Sequence, residues 1–211
     1  STTPSKMAAA MLRAALARRP ITRAPSTALI IAAARTNVTA RHGRGFYIDL
    51  HGHGHAIQRL ELGFLLTAAE LRLSDGTLNT PFYEDQSSIL ALSQSSPLTF
   101  PQLLRGNSSF GALIAARGYP ATPSPADPAP EVGDDYFNGG YNTVEHGSRD
   151  SGTIDGMQIE SNSTGVRDTA ANRTAYAQAL ASATASRVIG KTSSTASAGM
   201  DRPPRRTMSS A

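Results

Sequence analysis

Three imidazoles and a carboxylate stand close together at the end of one short apolar run. His51, His53 and His55 follow the run Tyr-Ile-Asp-Leu at 47–50, with a single glycine between successive histidines. In an extended chain, residues two apart point to the same side, so the three rings can face one ligand while the glycines leave room for it. Histidine and carboxylate are ligands that zinc takes in proteins, so the stretch predicts a metal site. Cysteine is absent from the sequence, which excludes thiolate ligands and a cysteine nucleophile.

The members of this cluster have separable roles. Asp49, two residues before His51, can orient that imidazole or contribute a ligand of its own. We expect His51 to take part in metal binding or catalysis, and His53 and His55 to contact the substrate or to support His51. The alternative is that each of the three is a structural histidine in the core, hydrogen-bonded to a backbone carbonyl. This explanation would have to hold for three histidines within one short stretch.

Glu160 is the second candidate for chemistry. It ends a short run, 156–160, in which apolar and polar residues alternate as they do in a strand. If this strand neighbours the one before His51, the two side chains lie close together. A carboxylate there can take a proton from a water and deliver it to a leaving amine, so we expect Glu160 to be catalytic. The alternative is an exposed carboxylate paired with Arg167.

Further charged side chains are candidates for binding or supporting a substrate. Arginine suits bidentate capture of a carboxylate, and several arginines stand at short spacing from acids. Ordinary surface ion pairs are the alternative for each of them. His146, a single histidine in a predicted loop, is a weaker candidate. The set comprises Arg59, Glu61, His146, Arg149 and Arg167.

The elements around these residues predict an α/β fold, with a mixed sheet flanked by helices. An amphipathic helix over 27–41 leads through two glycines into a strand over 46–50, and an apolar run over 60–66 follows the histidines. Prolines punctuate 119–133, which predicts an extended loop that stays out of the core. Further short or longer helical elements are predicted over 68–73, 87–94, 110–117 and 169–185.

Charge is distributed unevenly along the chain. Residues 1–45 hold eight Lys or Arg and no acid, whereas 46–211 hold twelve Lys or Arg against sixteen Asp or Glu. We therefore divide the chain into a basic arm (1–26), an α/β domain (27–190) and a flexible basic tail (191–211). The Arg-rich, acid-free arm resembles an organelle transit peptide and so suggests a mitochondrial location. A solvated basic arm on a cytoplasmic protein is the alternative.

Composition narrows the range of partners. Aromatic residues make up 6% of the chain and no stacking platform is visible, so no nucleic-acid motif is indicated. The basic arm and tail could still bind RNA, an anionic membrane or other protein subunits. No run approaches the roughly eighteen apolar residues of a membrane-spanning helix.

Six spaced motifs carry the candidate residues. They are Asp49-Leu50-His51-Gly52-His53-Gly54-His55, Gln58-Arg59-Leu60-Glu61-Leu62-Gly63, Tyr141-Asn142-Thr143, His146-Gly147-Ser148-Arg149-Asp150, Gln158-Ile159-Glu160 and Gly165-Val166-Arg167-Asp168. In this order, over about residues 27–185, the chain resembles the N-formylglutamate amidohydrolase family, which is similar in fold to the zinc carboxypeptidases. The resemblance implies an α/β metallohydrolase in which zinc-bound water attacks an amide of a small acylated amino acid or peptide. It also implies that His51 is a zinc ligand and that Glu160 is the general acid/base.

The same resemblance implies ligands that this sequence does not supply. Members of the wider group bring two more zinc ligands from upstream of the Asp-x-His strand, whereas only His42 and no acid precedes the strand here, so the expected fold is incomplete on its N-terminal side. A catalytic zinc site needs three protein ligands. Either His53 and His55 complete the set, or another chain does, or the metal has been lost. The expected function is a metal-dependent amidohydrolase, and the alternative is a catalytically inactive accessory subunit of a larger assembly.

Overall fold

The computed structural model describes the backbone of residues 27–193 and the side chains of residues 29–185. The predictions for the basic arm and for the tail beyond Ser193 fall outside this range and stay predictions. Four described strands form one sheet. They are β1 (Gly45–Gly52), β2 (Leu60–Gly63), β3 (Ala121–Thr122) and β4 (Ile154–Ser161).

The strand order in the sheet is β1-β4-β2-β3. β4 lies parallel to β1 and antiparallel to β2, while β3 lies parallel to β2. The predicted α/β class, with a mixed sheet and helices, is therefore confirmed at this level of detail. The closer likeness to the zinc carboxypeptidases stays a prediction.

Most of the described helices are short. The first and last have 16 and 24 residues, and those between them have four to six. Side-chain hydrogen bonds cap the first turn of some of these helices. For example, the Thr67 hydroxyl accepts from the Glu70 N–H, and the Glu70 carboxylate accepts from the Thr67 N–H. No helix in the described part of the chain is long and apolar enough to cross a membrane. The helices are α1 (Thr27–His42), α2 (Ala68–Leu71), α3 (Asp75–Leu78), α4 (Pro81–Glu84), α5 (Leu90–Ser95), α6 (Phe100–Arg105), α7 (Phe110–Ala115), α8 (Tyr141–His146) and α9 (Ala170–Ser193), with a kinked turn at Ser163–Arg167 before α9.

Side-chain alternation along the strands separates a polar face of the sheet from an apolar face. The polar face is formed by Tyr47, Asp49 and His51 of β1, Gln158 and Glu160 of β4, and Glu61 of β2. The apolar face is formed by Ile48 and Leu50, Met157 and Ile159, and Leu60 and Leu62. β4 lies in the middle of these rows and is buried along its whole length.

Helices α6, α7 and α9 complete the core over the apolar face. They contribute Phe100, Leu103, Leu104, Phe110, Ile114, Tyr176 and Ala183. Each large apolar side chain that is fully buried in this way stabilises the fold by about 1.5–3 kcal/mol. α8 lies on the polar face instead, where its last residue, His146, packs edge-on against Tyr47 with ring centroids 5.7 Å apart.

The structure departs from the predicted elements in two places. The Pro-rich stretch was expected to stay out of the core, but Ala121 belongs to the core and Ala121–Thr122 pairs with β2 as β3, so this prediction is wrong. The physical reason is that buried β2 needs a partner on its outer edge, and the stretch supplies it. The last helix was expected to end at Ala185 and continues to Ser193.

Candidate functional site

The strand register brings three predicted residues into one row on the polar face. His51 is the register partner of Glu160 in the parallel β1/β4 pair, and Glu160 is the register partner of Glu61 in the antiparallel β4/β2 pair. The row lies at the carboxyl ends of β1 and β4, which is the edge where ligands bind in open α/β sheets. A carboxylate pair with an imidazole beside it therefore occupies the position where a site is expected.

His51 is held between two carboxylates. Its Nε2 lies 3.1 Å from Asp49 Oδ2, and its Nδ1 lies 3.8 Å from Glu160 Oε1. Both ring nitrogens therefore lie within ion-pair distance of a carboxylate. The side chain is 46% exposed, so part of the ring is open to solvent.

Asp49 is in turn fixed by its neighbours. Asn142 Nδ2 donates to Asp49 Oδ2 at 3.2 Å, and the Tyr47 hydroxyl also hydrogen-bonds to this carboxylate. Burial, the negative charge of Asp49 and that hydrogen bond raise the pKa of Tyr47 to about 12. Tyr47 therefore stays protonated and remains a donor at every physiological pH, which keeps Asp49 oriented toward His51.

Glu160 is a buried carboxylate with a perturbed pKa. It is 5% exposed, and its Oε1 accepts from Gln158 Nε2 at 2.8 Å. Burial raises its pKa and the nearby charge of Glu61 acts in the same direction, whereas His51 and Gln158 act in the opposite direction. A carboxyl group with a raised pKa beside an imidazole is typical of general acid/base sites.

His53 is saturated by backbone groups. Its Nδ1 accepts from the His55 N–H at 3.1 Å, so the proton of the neutral ring is on Nε2, which donates to the Arg59 carbonyl at 2.8 Å. The ring is buried, with both nitrogens engaged. This arrangement matches the alternative of a structural histidine, since its hydrogen bonds join the end of β1 to the start of β2.

His55 and Glu61 form a second imidazole–carboxylate pair. His55 Nδ1 lies 2.8 Å from Glu61 Oε1, and the His55 ring stacks on Phe137 with centroids 4.8 Å apart. Glu61 is 1% exposed, and its Oε2 accepts from the Phe137 N–H at 2.9 Å. One ligand atom each from His53, His55 and Glu61 lies within 4.8 Å of the others, so this group could hold a metal ion.

Arg59 fastens the Pro-rich loop rather than facing the polar row. Its two terminal nitrogens donate to Asp127 and Asp134, each at 3.0 Å, and the side chain is buried. Both carboxylates lie more than sixty residues away along the chain. The structure therefore places this candidate in a structural ion-pair network, which we call the Arg59 latch (Arg59, Asp127 and Asp134).

Arg149 and His146 lie apart from the row. Arg149 pairs with its exposed chain neighbour Asp150 at 2.8 Å. His146 is 3% exposed, and neither of its ring nitrogens has a hydrogen-bond partner among the described residues. Burial lowers its pKa, and the positive charge of Arg35 acts in the same direction. The arrangement supports a neutral, buried His146.

Arg167 lies against the ends of β1 and β4, one residue beyond the row. Its Nε donates to the Ser161 carbonyl and its Nη2 to the His53 carbonyl, both at 2.8 Å. Gly52 makes this possible, because a Cβ at position 52 would lie 2.6 Å from Arg167 Nε. Arg167 forms no ion pair among the described residues, so it does not pair with Glu160.

Three polar residues that support the row were not predicted as site residues, although two of them, Asn142 and Gln158, lie in the motifs quoted above. Tyr47 and Gln158 each stand two residues before a candidate on the same strand, and strand alternation is the signal that could have found them. Asn142 reaches Asp49 from 93 residues away, and nothing local in the sequence indicates that contact.

Comparison with known proteins assigns no family to the chain. No family model matches it, and neither curated proteins nor solved structures give a match. The function is therefore argued from the geometry of the polar face.

Proposed function

We propose that this chain is a metal-dependent amidohydrolase-like protein, related to the N-formylglutamate amidohydrolases, that hydrolyses an amide of a small acylated amino acid or peptide. One observation carries the proposal: His51 lies between Asp49 and the buried Glu160 at the carboxyl ends of two parallel strands. This arrangement supplies both a base and an acid within reach of one exposed position.

The chemistry that these residues support is proton transfer during attack of water on an amide. Nδ1 of His51 takes a proton from the attacking water while Asp49 holds the ring by its other nitrogen. Protonated Glu160, favoured by its raised pKa, gives a proton to the leaving amine. The proton then returns from His51 to Glu160 across their 3.8 Å separation, so the cycle closes with one water consumed.

A zinc ion does not fit at His51 with the described residues alone. A catalytic zinc needs three protein ligands, and no described group of three closely spaced ligand atoms includes His51. Asp49 contacts the other nitrogen of that ring, where a carboxylate orients the imidazole and supplies no further ligand beside Nδ1. We therefore give His51 the role of a base in the proposed reaction and derive no step through a metal bound to it.

We assign the proposed zinc to His53, His55 and Glu61. Two imidazoles and one carboxylate are a donor set that catalytic zinc takes. His53 must give up one of its two backbone hydrogen bonds to serve as a ligand. A zinc ion in this group would act as a Lewis acid beside Glu160, whose register partner is Glu61.

Hydrolysis of N-acylated amino acids by the purified chain, supplied with zinc, tests the activity. We expect His51→Ala and Glu160→Gln each to lower the rate by about 10²–10⁴-fold, because each removes one proton-transfer group. His42→Ala is the matched imidazole control, since His42 is exposed at the end of α1. Wild-type rates in both site variants would refute the proposed roles.

Metal content, measured by mass spectrometry, tests the zinc assignment separately. We expect His51→Ala to keep the zinc of the wild type and His55→Ala to lose it, with folding of both variants checked by circular dichroism. The reverse result would place the metal at His51. A wild-type chain that binds no metal in the presence of excess zinc would end the metallohydrolase proposal.

The second candidate function is a catalytically inactive, hydrolase-derived accessory subunit. It is favoured by the shortage of ligands around His51 and by the backbone hydrogen bonds that already occupy His53. A folded chain that neither binds zinc nor hydrolyses any acylated amino acid supports this function over the first.

A further inference from the structure

A cavity of about 580 Å³ lies on the apolar side of the sheet, beside the first half of β1. Residues of β1, α5, α6, α7 and α9 line it, so secondary-structure elements surround it on several sides. Its apolar wall consists of side chains that are each at most 8% exposed, so the space reaches into the core. They are Phe64, Ile89, Leu92, Leu103 and Phe110.

The volume of this cavity selects the kind of occupant. An α-helix with its side chains is about 10 Å across and rises about 5.4 Å per turn, so one turn fills about 420 Å³. The cavity therefore has room for little more than a single turn, which is too little for a helix of a partner protein. Its volume is typical of small-molecule sites, and apolar cavities of about 150 Å³ already bind benzene.

Polar side chains line the end of the cavity where β1 starts. Asp155 is the register partner of Phe46, which places its carboxylate on the apolar face beside this end of the strand. Its Oδ1 accepts from the Leu92 N–H at 2.9 Å, and it lines the cavity together with Arg44 and His42. The charges of Arg44 and Asp155 cancel, so with a neutral His42 this end offers hydrogen-bond donors and acceptors without net charge.

We propose that this cavity binds a neutral amphipathic molecule about the size of a medium-chain alcohol. Its apolar body lies against Leu92, Leu103 and Phe110, and its hydroxyl or amide head group lies beside Arg44 and Asp155. An ionic head group is disfavoured, because it would lose its hydration where no net opposite charge compensates it. The cavity and the row of His51 and Glu160 lie on opposite faces of the sheet, so this site does not depend on the proposed hydrolase activity.

Isothermal titration calorimetry of the full chain with butanol, hexanol and octanol tests the apolar part of the site. We expect the dissociation constant to fall about fourfold with each added methylene, because each one is removed from water in the cavity. Burial of apolar surface should also give binding a negative heat-capacity change. Absence of octanol binding, or a dissociation constant that does not depend on chain length, overturns the proposal.

A variant that fills the cavity tests where the alcohol binds. We expect Leu92→Trp to weaken octanol binding by about tenfold or more, because the larger indole occupies the space beside Leu103. Phe82→Trp is the matched control, since Phe82 is 68% exposed on α4 and lies outside the cavity. Circular dichroism checks folding, and Leu103→Phe, a smaller addition to the same wall, replaces Leu92→Trp if that variant does not fold. Octanol binding that the cavity variants leave unchanged overturns the proposal.

Three head groups on the same eight-carbon chain test the polar end. We expect octanol to bind more tightly than octanoate or octylammonium. Arg44→Gln leaves the charge of Asp155 uncompensated and should raise the affinity for octylammonium relative to octanol. Arg41→Gln is the matched control, because it removes the same charge from an exposed position outside the cavity. Tighter binding of octanoate than of octanol by the wild type refutes a neutral ligand. A relative affinity that Arg44→Gln does not change contradicts the placement of the head group beside Arg44 and Asp155.

Discussion

Three histidines of one short segment have three different environments. His51 is partly exposed between two carboxylates, His53 has both nitrogens bonded to backbone, and His55 is paired with Glu61. The sequence predicted the cluster from residue types and spacing alone. It ranked His51 above the other two, but it could not predict their contacts, because the groups that distinguish them, such as the Arg59 carbonyl and Glu160, come from other segments.

A pH dependence of stability is expected from His146. Its pKa in the folded chain is lowered below 6.5, mainly by burial, so the folded state resists binding a proton that the unfolded state accepts. The contribution to stability is complete above pH 6.5 and is lost as the pH falls below it. Urea unfolding from pH 8 down to 5 should show this loss, and His146→Leu should reduce the slope while leaving the chain at least as stable at pH 7.

The comparison variant for this experiment is His42→Gln, which alters an exposed imidazole and leaves His146 in place. It is expected to keep the wild-type dependence on pH. If His146→Leu keeps the same loss of stability below pH 6.5, another group is responsible and the buried, neutral His146 is not supported.

At the scale of elements, periodicity identified the longer elements and only some of the shorter ones. The strands that carry His51 and Glu160 and the first described helix were predicted close to their observed bounds, whereas the last helix was predicted to end eight residues too early. α3, α4, α6, α8 and β3 were not predicted, because two to six residues give too few repeats of a hydrophobic period to form a pattern. Caps and tertiary partners determine such elements instead. The placement of the Pro-rich loop depends on Arg59, whose partners are distant in sequence.

The Arg59 latch yields a prediction about this loop. Arg59→Ala leaves Asp127 and Asp134 without their cation and removes a buried guanidinium, so we expect a loss of about 3 kcal/mol in the free energy of unfolding. Limited proteolysis should also become faster between residues 123 and 135. Urea unfolding and mass spectrometry of the fragments measure the two effects.

Arg149→Ala is the matched control for the latch. Arg149 pairs with an exposed neighbour in the chain, and an exposed pair of this kind contributes little to stability. Equal destabilisation by both variants would mean that the Arg59 latch contributes no more than a surface ion pair does, which the burial of Arg59 argues against.

At the scale of the whole molecule, burial and strand pairing are concentrated around β4. This strand pairs with β1 on one side and β2 on the other, and each of its eight residues is buried. α1 is mostly exposed and packs only lightly on β1 and α8. The sequence indicated a short strand here, but its burial and central position follow from pairing over about a hundred residues, which no local pattern encodes.

Native-state hydrogen exchange should be slowest in buried β4 and faster in exposed α1. We expect the amides of β4 to exchange only through global unfolding, so that their exchange free energies equal the free energy of unfolding from urea titration. The amides of α1 should exchange through local opening, with free energies that change little at low urea concentration, because few buried contacts must break to release the helix. Exchange measured by NMR across 0 to 2 M urea separates the two classes. Equal protection of α1 and β4 against exchange would show instead that the helix and the sheet unfold as one cooperative unit. The prediction that α1 opens locally would then be wrong.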